Sequence, residues 1–434
     1  MQSLLRKVLN YQSADELKAT LWATAYGFAI MLSYYILRAV RDEIAAEDRG
    51  NLQILWTVVF LTMVLVAVPA YSWLCSRFSR GVFVPVTNRF FIACLVAFWL
   101  ALTLLPVDAR PWIDRVFYVW SSVFALFVVT VFWGLLTDCF NREQGKRLFA
   151  FITVGVSIGA IVGSSITVFL AEQVPVFTLL LIACIPLEIA SHFAGILHRR
   201  FNRPGTHADE PLMGTAISGM KAVFASRYLL GIAAFIALMT FASTILYFAQ
   251  SDLVYAAITD RGERRALLAS MDLWVNVLTI IFQVYLTAQI IRWLGVGVTL
   301  ALIPFLMVAG FVALGLYPTL AVLIVVQVLY RVGRYGVARG AREVLFTVVS
   351  REEKYKSKAF LDAGVYRGGD LVSGWIYAGL AALGLSIGAI ALIAAPIAAV
   401  WAFIGLNIGR RCEENKTAAE TIPTAQQEKL ATSV

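Results

Sequence analysis

NREQGKRLFAFITVGVSIGAIVGS, residues 141–164, reads as a charged turn that opens into an apolar helix, and it returns later in the chain. Laid without gaps over SREEKYKSKAFLDAGVYRGGDLVS, residues 350–373, it pairs Arg142 with Arg351 and Glu143 with Glu352. Ala150 and Phe151 meet Ala359 and Phe360, Gly155 meets Gly364, Gly159 meets Gly368, and Ser164 meets Ser373. Turn and helix align together at one offset, the mark of an internal repeat. Chance similarity between two glycine-rich helices behind basic turns is the plainer alternative. Glycines at these spacings let two membrane helices approach closely.

The same pattern of apolar runs extends outward from this stretch. They fall near 19–40, 52–74, 86–106, 116–138, 149–171, 176–197, 228–250, 268–291, 297–317, 319–345, 359–384 and 386–408. Each approaches the roughly 20 residues that cross about 30 Å of hydrocarbon. The composition agrees: 60% hydrophobic and 15% charged, where a soluble domain carries roughly 25% charged residues. No alternating period of a membrane barrel is present. The first run is too long for a cleaved signal peptide and is expected to remain as a helix. The fold expected is an all-α membrane protein of about twelve transmembrane helices. The longest connection divides it into an N-terminal six-helix bundle (1–197), a central cytoplasmic loop (198–227), a C-terminal bundle (228–409) and a polar tail (410–434) expected to be disordered. Two pseudo-symmetric six-helix bundles are the architecture of the major facilitator superfamily, whose halves rock about a central cavity.

Lysine and arginine set the expected orientation. With a cytoplasmic N-terminus, 22 of the 36 basic residues fall in cytoplasmic segments, all nine lysines among them. Both termini are then cytoplasmic, and a bacterial inner membrane is the expected location. Arg261, Arg264 and Arg265, placed in one outer loop, resist the trend. The net charge of +9 is mostly this topology signal and gives no reason to expect a nucleic-acid partner. The five cysteines have neither disulfide nor metal spacing, so no metal is expected. No glycine-rich phosphate loop with Lys and Ser or Thr is present, nor a Gly-x-Ser-x-Gly elbow, so neither ATP hydrolysis nor other enzyme chemistry is expected and no cofactor is implied.

Charges inside the spans are functional candidates because burying them is costly. Seven basic residues lie within the runs drawn above: Arg38, Arg89, Arg331, Arg334, Arg339, Arg342 and Arg367. All are arginine, the residue suited to a bidentate grip on phosphate or carboxylate. Arg89 is close enough to a helix end to snorkel. In QVLYRVGRYGVARGAREVLF, residues 327–346, a regular helix gathers Arg331, Arg334, Arg339 and Arg342 into an arc of roughly 140°. They form either a basic cavity wall, with Arg331 and Arg334 deepest, or a set paired with Glu343, Asp362 and Asp370. The first helix ends in YYILRAVRDEI, where Arg38 lies deep and Asp42 and Glu43 read as local partners at the helix end. Arg367 and Asp370, three apart, can pair on one face, as a staple or a gate. Glu188 and His192, four apart, form a structural pair or a proton relay. Scattered tryptophans (Trp56, Trp99, Trp120, Trp133, Trp274) read as lipid anchors or packing.

YYILRAVRDE, FWGLLTDCFNREQGKRLFAF from Phe132 and ARGAREVLFTVVSREEKYKSKAFLDAGVYRGGDLVSG from Ala338 resemble the ATP/ADP translocase family of bacterial and plastid nucleotide transporters, a relative of the major facilitators. The family's Leu-Arg-Asp-x-Lys-Asp signature maps onto Leu37, Arg38, Arg41 and Asp42. Its basic-acidic pair maps onto Arg342 and Glu343, and its lysine-rich stretch onto Lys354, Lys356, Lys358, Ala359 and Asp362. Ala39, Arg41 and Ser357 depart from the pattern. The resemblance implies that buried basic residues hold nucleotide phosphates and that acidic ones help switch conformation. The expected function is therefore secondary active transport of a small anionic solute, a nucleotide or another phosphorylated compound, by exchange or ion coupling. Arg38, Arg41, Arg331 and Arg334 are the expected binding residues; Glu343, Asp362 and Arg367 are those expected for gating or coupling. Two alternatives stand beside it: proton-coupled export of an apolar or cationic compound through Glu188 or Asp138, and a membrane scaffold or sensor on a carrier fold.

Overall fold

The computed structural model describes residues 12–78, 80–201, 216–349, 353, 357–358 and 360–420, and the described elements are helical. The chain forms two compact units. One comprises Met1–Pro211 together with Gln250–Val277, the other Leu212–Ala249 together with Leu278–Val434. Among the described residues ten helices are long and apolar enough to cross a membrane. The two remaining segments of the expected twelve lie within 261–294, charged at Arg261, Glu263, Arg264, Arg265 and Asp272, and 361–382, charged at Asp362, Arg367 and Asp370.

In the first unit α1 spans Ala14–Glu47. The second helix, α2, is assembled from Leu52–Thr62, a π-helical turn Met63–Ala67, and Val68–Arg77. Then follow α3 (Arg80–Leu104), α4 (Arg110–Cys139), α5 (Arg142–Leu170) and α6 (Val176–Phe201). The charged turn before α5 is a capping box. The Asn141 side chain accepts the Gln144 amide at 2.8 Å and the Gln144 side chain accepts the Asn141 amide at 3.0 Å. Gly155, Gly159 and Gly163 then run along the backbone of α1. A Cβ at these positions would strike Thr24, Phe28 and Leu32 in turn, so the helices approach as closely as their backbones allow. On α1 the Ser33 hydroxyl donates to the Ala183 carbonyl of α6 at 2.8 Å. Trp120 stacks on Phe124 within an aromatic cluster, and the Trp56 indole donates to the Tyr118 hydroxyl at 2.8 Å, whereas Trp274 is exposed.

In the second unit lie a linker helix Ala216–Ala225 and most of α7 (Arg227–Ala257). The helix α8 starts at Arg261 and continues through a π turn at Phe282–Leu286 to 294. Gly295, at φ 72°, breaks the chain there, and α9 occupies 296–316. The Glu413 carboxylate accepts the Val296 amide at 3.2 Å and so caps the new helix. The helix α10 comprises Leu320–Val332, a π segment Gly333–Ala338 and Arg339–Leu345. In α11 a π turn Leu361–Val365 precedes Tyr366–Ala382. Gly384, at φ 84°, ends it in the left-handed conformation that favours glycine. The last helix, α12, is Ile387–Glu420 and crosses α9 where Gly409 meets Gly297.

The sequence repeat is not a repeat of packing. The nearest atoms to a Cβ at Gly364 belong to Phe360 of its own helix, and among the described residues nothing lies within 4 Å of a Cβ at Gly368. Instead Gly369 of α11 presses against Thr240 of α7. Gly159→Val should therefore destabilise the fold by about 1–3 kcal/mol through overpacking, while Gly368→Ala should leave it unchanged. Thermal unfolding of the detergent-solubilised variants checks both.

Candidate anion-binding site

Two groups of charges stand out, one in each unit. In the first, the carboxyl end of α1 is bound by ion pairs to residues 252–272. Glu43 is wholly buried, with Arg261 at 2.5 Å and Arg265 at 3.6 Å. Arg261 also donates to Asp114 of α4 at 2.8 Å. Arg264 reaches Glu47 at 2.8 Å and the Thr259 carbonyl at 2.9 Å, and Arg265 donates to the Ala171 carbonyl at 3.2 Å. Arg49 pairs with Asp252 at 3.5 Å and lies 3.7 Å over the Tyr255 ring. In the turn before α8, Asp260 accepts the Glu263 amide at 2.9 Å, and this bond holds its carboxyl below the ordinary range.

These contacts correct two expectations. Arg261, Arg264 and Arg265 do not sit in an outer loop: they are the first turn of α8, and two of them are buried. Glu43 is no local helix-end partner, since its partner is 218 residues away. The signal was in the sequence as three arginines in an outer segment against the charge trend.

Arg38 and Arg41, both expected to bind substrate, belong to this lattice. The Arg38 guanidinium lies 3.2 Å from Asp272 and 3.5 Å from Asp42, and 5.5 Å from the Tyr35 ring centroid. Tyr35 donates to Asn276 at 3.1 Å. Both Nε and Nη2 of Arg41 donate to Asp42, at 3.0 and 2.8 Å.

The second group is in the second unit. Phe235, Met239, Arg334, Tyr335, Ala338, Arg339, Arg342 and Tyr366 line a recess of about 130 Å³. Arg334 donates to the Ser243 hydroxyl at 2.9 Å and to the Tyr366 hydroxyl, and its guanidinium lies 5.3 and 5.5 Å from the Tyr366 and Tyr335 ring centroids. The π segment places Arg334 here, and the arc drawn for a regular helix does not hold across it. Three of the four arginines nevertheless share the recess, while Arg331 is buried elsewhere on α10.

The residues expected to gate are partly engaged. Lys358 reaches Glu343 at 2.7 Å, Arg342 stands 3.9 Å from Asp362, and Arg367 is exposed. Arg367 and Asp370 form no ion pair; Asp370 accepts from Thr244 at 3.5 Å instead. Lys354, Lys356 and Ala359 lie outside the described residues. Glu188 is taken by Arg89 at 2.8 Å on an exposed face, which leaves it a poor relay partner for His192 and shows Arg89 paired. A cavity of about 960 Å³ between α2, α3 and α4 is walled almost wholly by apolar side chains, and the arginine in its lining, Arg115, is held by Asp48 at 2.6 Å. It offers an anion no grip.

No family model matches the chain. It is 23% identical to ADP,ATP carrier protein 2 of Chlamydia pneumoniae over 491 aligned residues, covering 93% of this chain and 90% of the carrier, which bears out the resemblance read from its motifs. Among solved structures, the POT family transporter PepTSo matches with a TM-score of 0.66 at 13% identity, covering 92% of this chain and 98% of that one. The nucleoside transporter NupG matches at 0.63 and 12%, covering 90% and 99%. The xylose transporter XylE from E. coli matches at 0.63 and 14%, covering 90% and 95%. The fold is that of the major facilitators, a multi-pass membrane transporter fold, and these relatives are transporters rather than enzymes.

Breaking the first lattice should be expensive. Glu43→Ala leaves Arg265 and part of Arg261 without a counter-charge and should destabilise by about 3–5 kcal/mol. Glu43→Ala with Arg261→Ala should cost less than the sum of the two single changes, measured by thermal unfolding in detergent.

Proposed function

We propose that the chain is a secondary carrier that moves an organic anion, with a nucleotide or another phosphorylated solute as its substrate class, by alternating access across a bacterial cytoplasmic membrane, both termini inside. The observation that carries this reading is the recess of Arg334, Arg339 and Arg342 with Tyr335, Tyr366 and Phe235. Arginines suit phosphate because the guanidinium is planar and permanently charged, and aromatic faces suit a ring system beside it. Ligand pockets run to about 300–1,000 Å³, so this recess of about 130 Å³ accommodates the anionic end of such a substrate. The similarity to an ADP,ATP carrier supports a nucleotide as the first substrate to test.

The ion pairs of Glu43, Asp114, Glu47 and Asp272 support the alternating-access part. They fasten residues of the second set of six helices to the first unit, and a carrier that opens at that end must exchange those pairs for water. Under this reading Arg38 and Arg41 act in the gate, and Arg334 in binding. Proton-coupled export of a cationic or apolar compound draws less support at Glu188, one of its two candidate acids, which is ion-paired with Arg89 on an exposed face.

Thermal stabilisation of the purified protein by a panel of nucleotides, phosphorylated metabolites and uncharged analogues tests the proposal, because a binder raises the melting point only if it prefers the folded state. ATP or ADP should stabilise the wild type, Arg334→Ala should abolish the effect, and Arg339→Ala should weaken it about tenfold in Kd. Stabilisation by cationic or apolar compounds with none from any phosphate compound would overturn the substrate class.

A further inference from the structure

Inside the second unit an arginine and an aspartate come together without forming an ion pair. Arg334 of α10 is held by neutral oxygens, the Ser243 hydroxyl of α7 and the Tyr366 hydroxyl of α11. Asp370, one turn beyond Tyr366, accepts a long hydrogen bond of 3.5 Å from Thr244, the residue after Ser243. Gly369 fixes this placement. It packs directly on Thr240, one turn before Thr244, so α11 meets α7 with almost no side chain between them. Among the described residues Asp370 has no other hydrogen-bond donor and no cation within 4 Å.

Such a carboxyl is unusual within a membrane span, where an ionised group is normally paired. The charged and titratable groups around it are Arg334, Tyr330 and Tyr335 of α10 and Tyr366 and Arg367 of α11; among the described residues α7 presents the neutral hydroxyls of Thr240, Ser243 and Thr244. Both arginines act on the carboxyl from a distance, and neither neutralises it by contact.

We infer that Asp370 is a proton-binding site that couples anion binding at Arg334 to proton movement. Water on the open side supplies the proton to the Asp370 carboxylate and receives it again after the carrier has turned over, so one proton crosses with each anion. When Asp370 is neutral, the full positive charge of Arg334 is available to the anion; when it is ionised, its negative charge competes with the anion for the same guanidinium. By linkage the anion favours protonation of Asp370 as much as protonation favours the anion. The inference deepens the anion-carrier reading and rests on it for the transport step. The proton site itself stands on geometry independent of which anion is carried.

Infrared difference spectroscopy of the purified full chain between about pH 5 and pH 8 tests the site. The wild type should show a protonated-carboxyl band that fades as pH rises, is absent in Asp370→Asn and is shifted in Asp370→Glu. A wild-type spectrum with no band removed by Asp370→Asn overturns the inference. The coupling is tested with ATP as the probe. Its Kd should weaken roughly 5- to 150-fold from the low to the high end of that range in the wild type and stay near the low-pH value throughout in Asp370→Asn. An equal pH dependence in both proteins overturns the coupling. Absence of ATP binding at every pH would sink the substrate reading and leave the infrared result to decide the proton site.

Discussion

An ionised side chain in the apolar span must be paired or solvated, since even the lenient insertion scale sets its cost at about 2.5–3.5 kcal/mol. Glu43 is the plainest instance. It is fully buried, and its charge is tolerable only because Arg261 and Arg265 meet it. Neither arginine lies near it in the chain, so the pairing binds the start of α8 to the end of α1. That is why Gln250–Val277, which lie in the second set of six helices by sequence, form part of the first compact unit. The lattice is electrostatic, and each of its members leaves a costly orphan if it is removed alone. A joint of this kind holds firmly while dry and releases once water reaches it.

The other constraint is close approach. Along α5, glycines at every fourth position, Gly155, Gly159 and Gly163, bring its backbone onto α1. The later copy of the motif has Val372 where the third glycine of the series would fall; a Cβ at Gly364 would meet Phe360 of its own helix first, and among the described residues one at Gly368 would meet nothing within 4 Å. Gly369, one residue outside the series, makes the contact with α7 instead. The two similar segments thus make a glycine-lined helix pair in one unit and a contact through Gly369, Asp370 and Tyr377 with α7 in the other. The looser copy is the one that carries Tyr366 and Asp370 beside Arg334.

The fold was legible because twelve apolar runs need only length and composition to be recognised. Among the described residues ten survive as spans on those grounds, and the other two carry charges along their length. The candidate site was legible in part. A helix bearing four arginines announced itself, and Arg334 stands in the recess with Arg339 and Arg342. Their exact grouping was not legible, because the arc assumed 100° per residue and Gly333–Ala338 is π-helical. The Glu43 pairing was invisible to any local rule: i to i+4 reasoning searches one turn, whereas this bond spans 218 residues. The cluster at 261–265 was the remaining clue, since basic residues that run against the expected charge trend need partners.

Arg38 and Arg334 entered as equivalent candidates and differ in one decisive respect. Arg38 has two carboxylates within 3.5 Å, so an incoming anion must displace a charge already in place. Arg334 is oriented by two hydroxyls, which fix its direction and leave its charge uncompensated by contact. Neutral acceptors do for a guanidinium what carboxylates cannot: they hold it still without cancelling it. A binding arginine needs that arrangement, and a latch needs the opposite one. Under the proposed function, the ligands of each guanidinium, rather than its depth in the helix, are what separate grip from latch.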